Sequence, residues 1–162
     1  MGTMFSPALV LAIFLAVFSV QVNQINKATR AAVISKNINN ASQFIAYKNA
    51  VAVYVQNNPT FTGSIPAGTL TAQGYQFSSE FLALTNNQVT TAGTSGRTIT
   101  CYSNLPSGTI NEALELTSYD ASLGIASGGN WTSYAQGTNQ TASPLPVAVP
   151  NNYIVSVIQI GS

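Results

Sequence analysis

Residues 8–58 lie between Pro7 and Pro59 and contain neither glycine nor a further proline. So long a stretch without a breaker predicts one continuous helix, because Gly and Pro are the residues that most readily end one. Ser6 followed by Pro7 is a start signal: serine caps, and proline at the first helical position gives up no N–H that the helix needs. Asn57-Asn58-Pro59 is a stop, since the residue before a proline avoids the α region. At 1.5 Å per residue the helix would be roughly 75 Å long.

The two halves of this stretch suit different solvents. Met4 to Val22 holds no charge, and Ala8 to Phe18 is wholly apolar. About 20 apolar residues cross a hydrocarbon core. The Leu, Ile, Val and Phe side chains here favour insertion by about 3–5 kcal/mol in total. Residues 1–7 contain no Lys or Arg, and no small-x-small site follows Phe18, so the segment reads as a retained anchor rather than a cleaved signal. Gln21 to Thr29 is polar all round and is the expected place for a bend. From Ala31 to Gln56 apolar residues recur at helical spacing, with Ile34, Ile38, Ala41, Ile45, Ala52 and Val55 in one row and Phe44, Tyr47, Val51 and Tyr54 beside it. Lys48 lies near this stripe and reads as a side chain snorkelling from its edge. The expected organisation is a transmembrane anchor over 1–22, an amphipathic helix over 23–58 and a small head over 59–162.

The head reads as α+β. Pro59 to Tyr75 is dense in turn formers. Ser78 to Leu84 predicts a short helix with a serine cap, and Asn86 to Gly96 a polar loop. Arg97 to Tyr102 alternates and is rich in β-branched residues, which predicts a strand that buries Cys101 as a structural thiol. Thr109 and Glu112 have capping-box spacing ahead of a helix over about Ile110 to Thr117. Ser122–Ala126 and Asn130–Ala135 flank Gly128-Gly129 as a hairpin. Pro144, Pro146 and Pro150 hold a loop extended before the closing strand, Tyr153 to Ile160. The fold class expected is a long N-terminal helix packed on a small, mostly antiparallel sheet.

Composition narrows the function. There is no histidine, one cysteine, four carboxylates (Glu80, Glu112, Glu115 and Asp120) and five basic residues. No triad, metal set or phosphate-binding patch is expected from such a set, so the chain reads as a non-enzyme with no cofactor, no metal, no nucleic-acid partner and no small-molecule substrate. Glu112 and Glu115 read as a solvated helix face rather than an acid–base pair. Ser, Thr, Asn and Gln make up 60 of the 162 residues, a composition like that of many exported surfaces. Asn40, Asn130 and Asn139 each open a glycosylation-type tripeptide. Lys27, Arg30 and Lys36 follow the anchor, and the positive-inside rule would keep that side cytoplasmic, against the exported-type composition. Trp131, Tyr134 and Tyr153 are candidate contact residues, because Trp and Tyr are enriched at interfaces.

Phe44, Tyr47, Asn49, Ala50, Val51, Tyr54 and Val55, then Pro59, Phe61, Gly63, Pro66 and Leu70, then Gly74 and Tyr75, form a pattern that resembles the PilM family of type IVB (thin) pilus systems. The closing LPVAVPNNYIVSVIQI resembles that family's proline-rich final strand. The resemblance implies a small, single-pass inner-membrane protein of a pilus assembly apparatus, of the kind associated with conjugative plasmids. It also implies a periplasmic head, other pilus-machine proteins or copies of itself as partners, and no catalytic residues. A different expectation is a pilin or minor pilin: a membrane helix that continues as an amphipathic rod under a β-rich head is the plan of a filament subunit.

Overall fold

A computed structural model of the chain describes residues 7–135 and 141–161, with side chains described from Gln21 onward except that of residue 23. The chain comprises two units, Met1–Lys36 and Asn37–Ser162. One helix, α1, spans Pro7–Asn57. It is unbroken, so the polar segment 21–29 remains helical. Among the described residues no helix is long and apolar enough to cross a membrane; the apolar run 8–18, on which the expected anchor rests, lies outside the residues whose side chains are described.

In the first unit the described side chains from Gln21 to Lys36 are exposed. The Thr29 hydroxyl donates back to the Ile25 carbonyl at 2.9 Å. In the second unit, α1 buries Ala41, Phe44, Tyr47, Lys48, Ala50, Val51 and Val55. The rows expected from sequence are therefore corrected. Ile34 and Ile38 are exposed, and the buried seam steps 41, 44, 48, 51, 55, a three–four alternation that keeps one line facing a partner. Periodicity shows which side chains share a face, but an apolar side chain is buried only where a second surface meets it.

That surface is a six-stranded sheet with strand order β1-β2-β6-β3-β4-β5. Its members are β1 (Thr85–Ala92), β2 (Gly96–Ser103), β3 (Leu123–Ser127), β4 (Asn130–Ser133), β5 (Ser143–Pro144) and β6 (Ile154–Ile160). All pairings are antiparallel. Val89, Ile99, Cys101, Leu123 and Ile154 share one core with Phe44, Tyr47 and Val51 of α1. On the other face Ala126, Val149 and Val155 form a second cluster, packed by Tyr102, Leu145, Val147, Tyr153 and Val157. The closing strand expected from sequence is thus central, and both its faces are covered. That agrees with its near-continuous aliphatic run.

Among the described residues of the head there are also three short helices, α2 (Ala67–Ala72), α3 (Ser79–Leu84) and α4 (Gly108–Leu116). Ser78 caps α3 as expected, accepting from the Phe81 N–H at 3.2 Å. The hairpin between β3 and β4 turns on Gly128 and Gly129, both at positive φ (58° and 79°), as a two-residue I′ turn requires.

Two readings of the head are overturned. Residues 86–92, expected as loop, form most of β1 and pair with β2 from Thr85↔Ser103 to Ala92↔Gly96. The strand hides from composition because two of its three buried positions, Thr85 and Asn87, are polar, with Val89 the third. The Thr85 and Ser103 hydroxyls bond each other at 2.7 Å. Asn87 donates from Nδ2 to the Tyr47 hydroxyl at 2.6 Å and to the Ile65 carbonyl at 2.9 Å, and accepts from the Ile65 N–H at 2.8 Å. Nor does Thr109 cap α4. The N-cap position is Ser107, with no side-chain cap bond. Thr109 lies one residue inside the helix, fully buried, with its hydroxyl unpartnered. Of the glycosylation-type asparagines, Asn40 lies within α1 and Asn130 opens β4; Asn139 is outside the described residues.

Candidate functional site

The site begins with Lys48. It occupies a core position of α1, four residues after Phe44 and three before Val51, and is only 5% exposed. A buried ammonium is costly unless paired. Its partner is Asp120, with Nζ to Oδ2 at 2.5 Å. The snorkelling expected for Lys48 is corrected accordingly: the side chain turns inward to a carboxylate 72 residues further along the chain.

The end of α4 places that carboxylate. Ser118 and Tyr119 take left-handed backbone conformations, φ 53° and 64°, which fold the chain back sharply. The Tyr119 N–H returns to the Leu114 carbonyl at 2.7 Å, the six-to-one bond of a Schellman-type ending. Asp120 is then fixed from both sides: its N–H donates to the Thr117 hydroxyl at 3.3 Å, and its Oδ1 accepts from the Ser122 N–H at 2.9 Å. Burial opposes ionisation of Asp120. The Lys48 ammonium, together with the Ser122 N–H, outweighs it and holds the carboxyl below its usual range.

The pair lies at a gap in the sheet. β3 pairs with β6 only from Leu123↔Ser156 to Ile125↔Ile154, while β6 continues against β2 as far as Ile160. The last bond across the gap runs from the Val157 N–H to the Ser122 carbonyl, 3.0 Å. An open groove of about 950 Å³ lies beside it. Lys48 and Asp120 line one wall, Trp131, Pro144 and Leu145 another, and Gln159 the outgoing edge of β6. Trp131 pairs with Ala126 and lies over Gly124, where a Cβ would collide with the indole ring and the Thr132 carbonyl. That close approach is why glycine stands there.

Trp131 is half-buried in the groove wall and Tyr134 is 42% exposed, whereas Tyr153 packs on the second cluster, its ring 6.4 Å from that of Tyr102. The groove brings Trp131 together with Lys48 and Asp120; neither Tyr134 nor Tyr153 lines it. Glu115 is exposed and Glu112 half-buried on α4. Cys101 is fully buried under α1, and burial pushes its thiol up to about 12. The Tyr47 hydroxyl is also raised to about 12, by burial that outweighs its bond with Asn87. Chemically the groove offers a neutralised ion pair, an indole, prolines and strand-edge backbone, which are means of holding a polypeptide segment.

Lys48 and Asp120 did leave a signal in the sequence. A lysine at the centre of an apolar stripe needs a carboxylate, and the chain has only four.

The PilM family model matches residues 10–157. A similar solved structure is the crystal structure of a protein PilM from Escherichia coli B7A: TM-score 0.55, 16% identity, covering 77% of this chain and 93% of that one. At that identity the likeness concerns the fold. No curated protein matches.

Proposed function

The chain belongs to the PilM family, and from that membership we propose that it is a non-enzymatic, membrane-anchored component of a type IVB pilus assembly apparatus. Family membership is the observation that carries the reading. In it the apolar segment 4–22 holds the protein in the inner membrane by a single pass, and the head stands in the periplasm. There the head binds other pilus-machine proteins, with Trp131 and Tyr134 as contact residues. Two features support a binding role. The groove beside Trp131 exposes an incompletely paired strand end next to Trp131, Pro144 and Leu145, and Tyr134 is one of the large hydrophobic side chains exposed on the head.

The test is fractionation with site-directed photocrosslinking of the full chain in cells that build the pilus. The protein is expected in alkali-resistant membranes, with crosslinkers at Trp131 and Tyr134 capturing another pilus protein. Release by alkali, or crosslinks nowhere on the head, would overturn the proposal. Recovery as a stoichiometric part of sheared filaments would identify it instead as a pilin-type subunit, the reading that a long helix under an antiparallel sheet also suits.

A further inference from the structure

Charge is unevenly spread along the chain. The first carboxylate is Glu80, so residues 1–79 contain Lys27, Arg30, Lys36 and Lys48 and no acid. Lys48 is neutralised by Asp120. The other three are exposed on α1, and among the described residues the Lys48–Asp120 bridge is the only ion pair. Lys27 and Arg30 are i,i+3 neighbours on the helix surface. Like charges at that spacing repel unless an anion sits between them.

We propose that Lys27 and Arg30 form a contact site for the headgroups of anionic lipids. This rests on the membrane anchoring proposed above and names the lipid class the anchor selects. Helix rise places Lys27 about 7.5 Å and Arg30 about 12 Å beyond Val22, the end of the proposed anchor. The polar layer of a bilayer is roughly 5–7 Å deep on each side. Helical Cα–Cβ bonds tilt toward the N-terminus, which here is toward the lipid, so both long side chains reach back into the phosphate layer. Arg30 lines a shallow groove with Asn26, Thr29, Val33 and Ile34, of which Asn26 and Thr29 add polar groups at the same level. Lys36 stands about 21 Å from Val22 by the same rise. Less the polar layer, that leaves about 14–16 Å, close to two Debye lengths at physiological salt, so it contributes little.

The test is spin-label electron paramagnetic resonance on the full chain reconstituted in neutral phosphatidylcholine bilayers. It compares how strongly spin-labelled phosphatidylglycerol and spin-labelled phosphatidylcholine are immobilised at the protein. The parent chain is expected to prefer the anionic label by about twofold or more averaged over the lipids around the helix, and to lose the preference at high salt. Lys27→Gln/Arg30→Gln abolishes it, Lys27→Arg/Arg30→Lys keeps it, and Lys36→Gln leaves it nearly unchanged. Equal association of the two labels with the parent chain, or a preference that survives Lys27→Gln/Arg30→Gln, overturns the proposal. Failure of the anchoring itself would look different, since no immobilised lipid of either kind would be seen.

Discussion

Lys48 and Asp120 differ in how deeply they are buried, 6% against 31% side-chain exposure, and this difference predicts an asymmetry. Asp120→Asn leaves an ammonium stranded in the core and is expected to cost about 2–3 kcal/mol in urea unfolding. Lys48→Met leaves a carboxylate that water reaches, so its cost is expected to be clearly smaller. A pH series follows from the same pair. The Asp120 carboxyl is held below its unfolded value, so its stabilisation is complete above the ordinary carboxylate range. It is lost as pH falls from about 4 toward the lower folded value. Urea midpoints of the parent chain should therefore converge on those of Asp120→Asn in acid. A gap that stays constant down to pH 2–3 would remove the pair from the stability balance. At this scale the sequence was half legible. The spacing of Phe44 and Val51 put Lys48 beside the apolar stripe, where it read as snorkelling, and neither its burial nor the choice of Asp120 over three glutamates was visible. That choice depends on the left-handed turn at Ser118 and Tyr119.

Elements whose signal is local were readable as written. The Ser78 cap, the Gly-Gly hairpin and the aliphatic β6 each depend on residues within a few positions of one another. The β1 strand was not readable, because its stability comes from groups far along the chain: Asn87 reaches Tyr47 and the backbone of Ile65. Asn87→Ala would strand three buried polar groups and is expected to cost about 2–4 kcal/mol. The protection of β1 amides should fall more than that of β4 amides in hydrogen exchange. Uniform loss across the sheet, or none, would mean that Asn87 does not hold this edge. Thr109 shows the opposite failure. Its capping-box spacing with Glu112 was present, yet the helix starts two residues earlier, with Ser107 at the N-cap, and buries the hydroxyl instead.

For the head as a whole, Cys101 reports cooperativity. It lies on β2 in the core shared with α1, fully buried, its thiol raised to about 12. Alkylation should be absent under native conditions and complete in denaturant, with labelling that proceeds only through opening of the core. Asp120→Asn should then speed native-state labelling by roughly thirty- to 150-fold, matching its urea destabilisation of about 2–3 kcal/mol. Labelling that ignores this substitution would place Cys101 in a locally opening region rather than in the common core. The second cluster, beneath the segment 145–149, packs on the opposite face, so one sheet joins both layers.

The sequence by itself determined the long helix, the α+β class, the closing strand and the family, because breakers, periodicity and local turn chemistry act over a few residues and need no partner to be recognised. Tertiary structure alone decided which helical face is buried, that a run of Asn, Gln and Thr becomes a strand, and that Lys48 meets Asp120 beside a groove. Those outcomes depend on which distant groups satisfy a buried charge or a buried amide, and that is settled only when the sheet and the helix close on each other.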